Sequence, residues 1–307
     1  MAFRERSLEK YKIKEGIGSM PDHLEVCEAA ARAGGRVLTQ WLGRFRVSSK
    51  GPADLVTEAD IASQSEIRRI VESAFPAYGF VGEEQSVSER SASLGAPRWI
   101  VDPLDGTTNY VHGYPAYCVS VALAHGDAII VGVIYDPVSE ECFTAEVGRG
   151  AYLNSAPIKV ARTSAIEDAL VAVSFPPQVS PESIAVIDFL AALSAVHSIR
   201  RSGSSAINLA YVASGRLDAF WVRRISSWDV AAGLLLVSEA GGVVGPFLVQ
   251  HKGITSGESL KTTIALPKVF ASGTVPLDNP VFIAACSLEV LDSLQRLLCQ
   301  EPSGGSS

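Results

Sequence analysis

Apolar and polar positions along the chain fall into segments with two periods. From 21 to about 42, Leu24, Cys27, Ala31, Val37, Leu38 and Trp41 form a stripe at helical spacing, and Asp22 with Glu25 reads as a capping box at its front. Residues 60–74 repeat the helical period and stop before Pro76. A short apolar run at 98–101 predicts a strand. Three more strands are expected at 117–124, 127–135 and 141–145, punctuated by His125-Gly126-Asp127. Strands are also expected at 169–174 and 217–222. Helices are expected at 181–196, 204–213 and 228–240, the last two closed by Gly215 and by Gly241-Gly242. A final strand at 281–285 and a helix at 288–298 complete the pattern. Residues 1–20 and 301–307 lack an apolar period and are expected to be disordered tails, and 245–280, rich in Gly, Pro and Ser, gives weak signals. Met20 stands directly before the first helix as a candidate start. Helices first, then a run of strands, then alternation fits an α+β or layered α/β fold better than a purely parallel doubly wound sheet.

Composition narrows the class without naming a chemistry. Apolar residues make up 47% of the 307 positions and charged residues 19%, which excludes disorder of the whole chain. Lys plus Arg total 26 and Asp plus Glu 33, so the net charge is −7, a poor match to nucleic acid or anionic lipid. The apolar runs, such as 128–134, fall far short of the roughly 18 residues that span a bilayer. The charged N-terminus lacks the apolar core of a signal peptide. Cys27, Cys118, Cys142, Cys286 and Cys299 are scattered, with no C-x-x-C pair, so neither a disulfide framework nor a thiolate zinc site is expected. The expected setting is a reducing compartment, most simply the cytoplasm.

Chemistry enters with four acidic clusters: Asp54 to Asp60, Gly82-Glu83-Glu84, Asp102 to Asp105, and Trp228-Asp229 at the start of a helix. Each alone is an ordinary turn, loop or cap. Asp102, however, ends an apolar strand, and Pro103 is expected to turn the chain out of the sheet there. Asp105 follows three residues on. Two carboxylates on one rigid turn repel each other unless a cation lies between them, and an oxygen-only donor set favours Mg²⁺ over Zn²⁺. Gly106-Thr107-Thr108 then offers backbone N–H groups and hydroxyls as a phosphate cradle where a helix begins. An acid cluster beside an anion cradle is the logic of metal-assisted phosphoryl transfer.

At these residues the chain resembles the inositol monophosphatase family, within the lithium-sensitive, Mg-dependent sugar phosphatases. The blocks WIVDPLDGTTNYVHGYP and WDVAAGLLLVSEAGG carry the resemblance, with DLVTEAD, GEE, GAYLNSAPI and RSGSSAINLAYVASGRLDAFW in the expected order. It covers about residues 21–300. The resemblance implies a five-layered αβαβα sandwich in one domain, a homodimer, and hydrolysis of a small phosphate monoester by activated water without a phosphoenzyme. It implies that Glu83, Asp102, the Leu104 carbonyl, Asp105 and Asp229 hold two or three Mg²⁺. Asp60 and Thr107, with Glu83, would orient and deprotonate the attacking water. Asp105, Gly106, Thr107, Ser205 and Asp229 would contact substrate. The substrate class it implies is inositol 1-phosphate or a related polyol or sugar phosphate. Histidinol phosphate and a nucleoside 3',5'-bisphosphate remain enzymatic alternatives, and a regulatory binding protein that kept the fold is the non-enzymatic one.

One position departs from that pattern. Inositol-directed members carry a Glu after the aromatic pair at the strand end, and here Val222 follows Phe220-Trp221. Valine cannot accept a hydrogen bond from a sugar hydroxyl. Arg223 and Arg224 come next and are either solvated charges or readers of a second anionic group. His112, in the signature loop, is expected to be a bystander, Cys118 core filler, Trp41 and Trp99 packing residues, and Trp228 a buried wall beside Asp229.

Overall fold

In the computed structural model, which describes residues 21–51, 54–85, 97–126, 128–176, 178–247 and 280–298, the Asp22 carboxylate accepts the N–H groups of Leu24 (2.8 Å) and Glu25 (3.2 Å). It thereby opens α1 (His23–Trp41). A hairpin that the apolar pattern did not reveal follows, β1 (Val47–Gly51) and β2 (Asp54–Thr57). Thr57 then caps α2 (Glu58–Ala74) in a reciprocal box with Asp60.

The next stretch builds one sheet. Its strands are β3 (Gly79–Gly82), β4 (Pro97–Asp105), β5 (Cys118–His125), β6 (Ala128–Asp136), β7 (Glu141–Glu146), β8 (Gly150–Leu153) and β9 (Ala156–Pro157), hydrogen-bonded in that order. A one-turn helix, α3 (Thr107–Val111), links β4 to β5. Only β3 and β4 run parallel; the other neighbours are antiparallel. The second sheet, in the order β11-β10-β12-β14-β13, comprises β10 (Leu170–Ser174), β11 (Ser198–Arg200), β12 (Ala219–Val222), β13 (Val243–Gly245) and β14 (Phe282–Ala285). Four helices accompany it: α4 (Ile184–Leu193), α5 (Ser205–Ala213), α6 (Ser227–Glu239) and α7 (Leu288–Leu298).

Alternation along the strands decides which layer each side chain joins. In β4, Trp99 and Val101 pack with Cys27, Leu38 and Ile67 of α1 and α2, whereas Ile100 faces the central cluster of Leu209, Leu235 and Phe220. In β12, Phe220 and Val222 join that central cluster, and Trp221 packs outward with Leu291 and Leu294 of α7. The layers are therefore α1/α2, first sheet, α5/α6, second sheet and α4/α7, the five-layered αβαβα sandwich. The central helix α6 is buried continuously from Val230 to Val237, as a helix between two sheets must be. It lies so close to β6 that a Cβ on Gly132 would come within 2.9 Å of the Ala232 backbone.

The expected end of β4 at Asp102 is corrected. The strand continues to Asp105 through a bulge: Asp102 pairs with Ser120 and Asp105 with Cys118, so three steps of β4 oppose two of β5. Pro103 cannot donate to a ladder, and a bulge is where a sheet tolerates it. The proposed tails, most of 245–280, part of the loop between Val81 and Arg98, and Cys299 lie outside the described residues.

Candidate active site

The β4 bulge carries two carboxylates, and α6 brings a third. Oxygens of Asp102, Asp105 and Asp229 all lie within 4.8 Å of one another. Each has a distinct anchor. Asp102 Oδ1 accepts the Leu104 N–H inside the bulge at 2.9 Å. Asp105 Oδ2 accepts the Ser204 hydroxyl and the Ala206 N–H, both at 2.6 Å, which places it at the start of α5. Asp229 sits in the first turn of α6, and its Oδ2 accepts the Ser226 N–H at 3.0 Å. Glu83 follows β3 directly. Its N–H donates to the Val101 carbonyl at 3.2 Å, so it stands next to Asp102 across the parallel pair. The turn around it is tied to α2 by the Gln64 side chain, which accepts the Glu84 N–H at 3.0 Å.

The second half of the site lies where α3 begins. Gly106 has φ +99°, and a Cβ there would lie 2.9 Å from the Ala116 carbonyl, so this turn is closed to larger residues. The N–H groups of Gly106 and Thr107 open a helix and have no acceptor within it. Thr107 Oγ1 is 3.3 Å from Asp60 Oδ1 and 3.1 Å from the Leu104 carbonyl. The other oxygen of Asp60 accepts the Thr57 N–H at 2.9 Å and the Thr57 hydroxyl at 2.5 Å.

Burial sets the electrostatics. Asp102 is pushed well above the usual carboxylate range by desolvation and then by the charges of Glu83, Asp229 and Asp105. Asp105 is raised to about 7, by desolvation and Asp229, against the bonds from Ser204, Ala206 and Ser205. Asp60 is raised to about 6, mainly by desolvation, against its bonds from Thr57. Three carboxylates this close cannot all ionise without a counter-charge. Asp102 Oδ2 is also buried, and among the described residues only a neighbouring carboxylate, Asp229, is in reach of it rather than a donor. An oxygen without a donor in an all-oxygen cluster fits a hard divalent cation.

The structure thus brings Asp60, Glu83, Asp102, Leu104, Asp105, Gly106, Thr107 and Asp229 to one end of the sandwich. Ser205 is present too, but its hydroxyl is 2.8 Å from that of Ser174, and its N–H serves Asp105. Cys118 is core, as expected, with its thiol 4.0 Å from Asp105. Trp99 is fully buried, Trp41 is partly buried against the first cluster, and Trp228 offers its carbonyl to Ser120. His112 is exposed beyond α3. The suggestion that Arg223 reads a second anion is corrected: its guanidinium is already held by the Asp188 carboxylate through bonds of 2.6 and 2.9 Å. Val222 is buried in the central cluster. Sequence reasoning missed Thr57 and Ser204, which hold Asp60 and Asp105. Thr57-x-x-Asp60 had a readable capping signal; Ser204 had only the general preference for serine before a helix.

Comparison with known proteins gives the family. The model of the inositol monophosphatase family matches residues 22–268. An inositol-1-monophosphatase of Rhizobium meliloti is 42% identical over 223 residues, 71% of this chain and 83% of its own length. A Pseudomonas aeruginosa protein named Nus factor SuhB is 38% identical over 244 residues, 78% and 90% of the two chains. The solved inositol monophosphatase of Anabaena superposes with a TM-score of 0.71 at 34% identity, covering 91% of this chain and 96% of that one. The chain belongs to the inositol monophosphatase family and is a phosphatase of that family, a phosphoric monoester hydrolase.

Proposed function

We propose that the chain hydrolyses a small polyol or sugar phosphate, with inositol 1-phosphate as the reference substrate, and that it depends on two or three Mg²⁺. The observation that carries the reading is the convergence of Asp102, Asp105 and Asp229 beside the Asp60–Thr107 pair. Glu83, Asp102, the Leu104 carbonyl, Asp105 and Asp229 are the proposed ligands. Bound there, divalent cations supply Lewis-acid charge that acidifies water and neutralises phosphate and leaving oxygen.

The chain's own groups supply the rest. With its proton directed to Asp60 Oδ1, the Thr107 oxygen has lone pairs free to take a proton from water. Asp60, at about 6, is ionised near neutral pH and weakly basic enough to receive the relayed proton. The water oxygen attacks phosphorus, the P–O ester bond breaks, and the departing alkoxide takes a proton from solvent. Gly106 and Thr107 offer N–H groups to phosphate oxygens. No side chain forms a covalent intermediate, since positioning and charge stabilisation dominate phosphoryl transfer.

Asp105, Asp229 and Ser205 are left to contact the alcohol, because Val222 is buried and apolar. Arg223 being occupied, only exposed Arg224 is left of the basic pair, which disfavours a bisphosphate. A panel of myo-inositol 1-phosphate, glycerol 2-phosphate, histidinol phosphate and a nucleoside 3',5'-bisphosphate with Mg²⁺ tests the assignment. The polyol esters are expected to turn over fastest, with inhibition by Li⁺. If both are inert while another ester is fast, the polyol reading is lost.

No helix among the described residues is long and apolar enough to cross a membrane; a cytoplasmic setting is part of the proposal. So is a homodimer. Helix α4, with the sequence IAVIDFLAAL, is apolar on nearly every face, yet Ile184, Leu190 and Leu193 are 45%, 58% and 56% exposed. We expect a second copy to cover them. Sedimentation at micromolar concentration is expected to give a dimer that Leu190→Glu dissociates; a monomeric wild type would refute this.

A further inference from the structure

We infer that Arg223 is a positioning residue for the cation site: clamped to Asp188, it fixes the short connection that presents Asp229. The inference rests on the proposed metal-dependent reading and adds to it two residues, Asp188 and Arg223, outside the proposed ligand set.

Strand β12 ends at Val222 and α6 begins at Ser227, so four residues join the second sheet to the helix that carries Asp229. Three of the four are anchored. The Arg223 Nε donates to Asp188 Oδ2 at 2.6 Å, and its Nη2 donates to Asp188 Oδ1 at 2.9 Å and to the Leu298 carbonyl at 2.6 Å. The same guanidinium lies over the Phe247 ring, 3.7 Å from its centroid. Ile225 packs against the central cluster. Ser226 then donates its N–H to Asp229 Oδ2 at 3.0 Å. One end of the connection is therefore pinned by the clamp, and the other touches a proposed ligand.

The chemistry of the clamp suits this task. The Asp188 side chain is 1% exposed and that of Arg223 21%, so solvent screens the pair little. A two-pronged guanidinium–carboxylate contact fixes direction as well as distance, which a lysine cannot do. Leu298 belongs to α7, so the third bond ties that helix to the same point. A buried ion pair adds little net stability over an apolar pair of similar volume. What this one contributes is a fixed path into Asp229. Groups that orient metal ligands from behind commonly set metal affinity.

The test uses the full chain and Mn²⁺ as the probe, with free Mn²⁺ read by electron paramagnetic resonance. Arg223→Lys keeps the charge and loses the fork. The double variant Asp188→Leu, Arg223→Met replaces the pair by apolar side chains and leaves no buried charge unpaired. Both are expected to weaken Mn²⁺ binding about 10-fold. They are also expected to raise the Mg²⁺ concentration for half-maximal activity by a similar factor, with kcat at saturating Mg²⁺ nearly unchanged. Leu291→Ala lowers stability in the outer layer without removing a hydrogen bond of the clamp, and its Mn²⁺ affinity is expected to match the wild type. A folded double variant that binds Mn²⁺ as tightly as the wild type would overturn the inference, as would an equal loss in Leu291→Ala. A wild type that takes up no Mn²⁺ would instead sink the cation reading on which the inference stands.

Discussion

Asp102→Asn is expected to lower kcat/KM by roughly 10³-fold or more, the equivalent of about 4 kcal/mol of transition-state stabilisation. Its fold is expected to survive. The substitution changes one atom of a buried side chain. The amide oxygen can still accept the Leu104 N–H now taken by Oδ1. The new amide nitrogen replaces Oδ2, which has no donor among the described residues, and it faces a cluster containing Asp105 and Asp229, both able to accept. In chelator, the variant should melt at the same temperature as the wild type or higher, because one of three crowded carboxylates is gone. Activity thus falls while metal-free stability does not, which separates loss of a ligand from loss of structure. Near-wild-type turnover in the presence of Mg²⁺ would refute the assignment of Asp102; a collapse of the melting temperature would show that the residue is needed for folding.

The second large effect is on stability against pH. In metal-free protein, Asp102 is raised well above its ordinary value, Asp105 to about 7 and Asp60 to about 6, desolvation being the leading cause for each. The unfolded chain titrates these groups near 4. Between about 4 and about 7 the folded state holds more protons than the unfolded one, so stability falls as pH rises through that window. The contribution is fully present below the unfolded value and is lost as pH passes the folded ones. A shift of three units on one buried group is worth a few kcal/mol. For a domain of this size the melting temperature in chelator is expected to fall by roughly 5 to 10 °C between pH 5 and pH 8. Divalent cation supplies the missing positive charge, so Mg²⁺ should raise the melting temperature more at pH 8 than at pH 5. Asp102→Asn should flatten the metal-free slope. A metal-free melting temperature that is constant or rises over this range would count against the buried, mutually repelling cluster.

Much of the fold was legible because the patterns were local. Asp22 and Glu25 marked the first cap, and the spacing of Leu24, Cys27, Ala31 and Leu38 marked the buried face of α1. The antiparallel run β5 to β7 was visible from apolar stretches of strand length and the turn residues between them. The hairpin of β1 and β2 was not, because 47–57 is largely polar and carries no strong period. The path of β4 was misread because Pro103 ordinarily ends a ladder, and a bulge depends on what the neighbouring strand accommodates.

What the sequence by itself determined was the inventory of chemistry: the signature blocks, five carboxylates in order along the chain, and a Gly-Thr-Thr turn. Residue types and spacing suffice for that, since ligand hardness and turn propensity are properties of single side chains and short segments. Only the tertiary structure decided how the groups are held. Ser204 reaches Asp105 across 99 positions, and Asp188 reaches Arg223 across 35. In sequence Arg223 was open to solvent or to a second anion, and the packing of α4 gave it to Asp188 instead; Val222 departed from the family's Glu, and strand alternation buries it in the central cluster. Which face of β12 is buried, and which carboxylate occupies an arginine, depend on layers that meet only once the whole sandwich has assembled, and no local pattern encodes them.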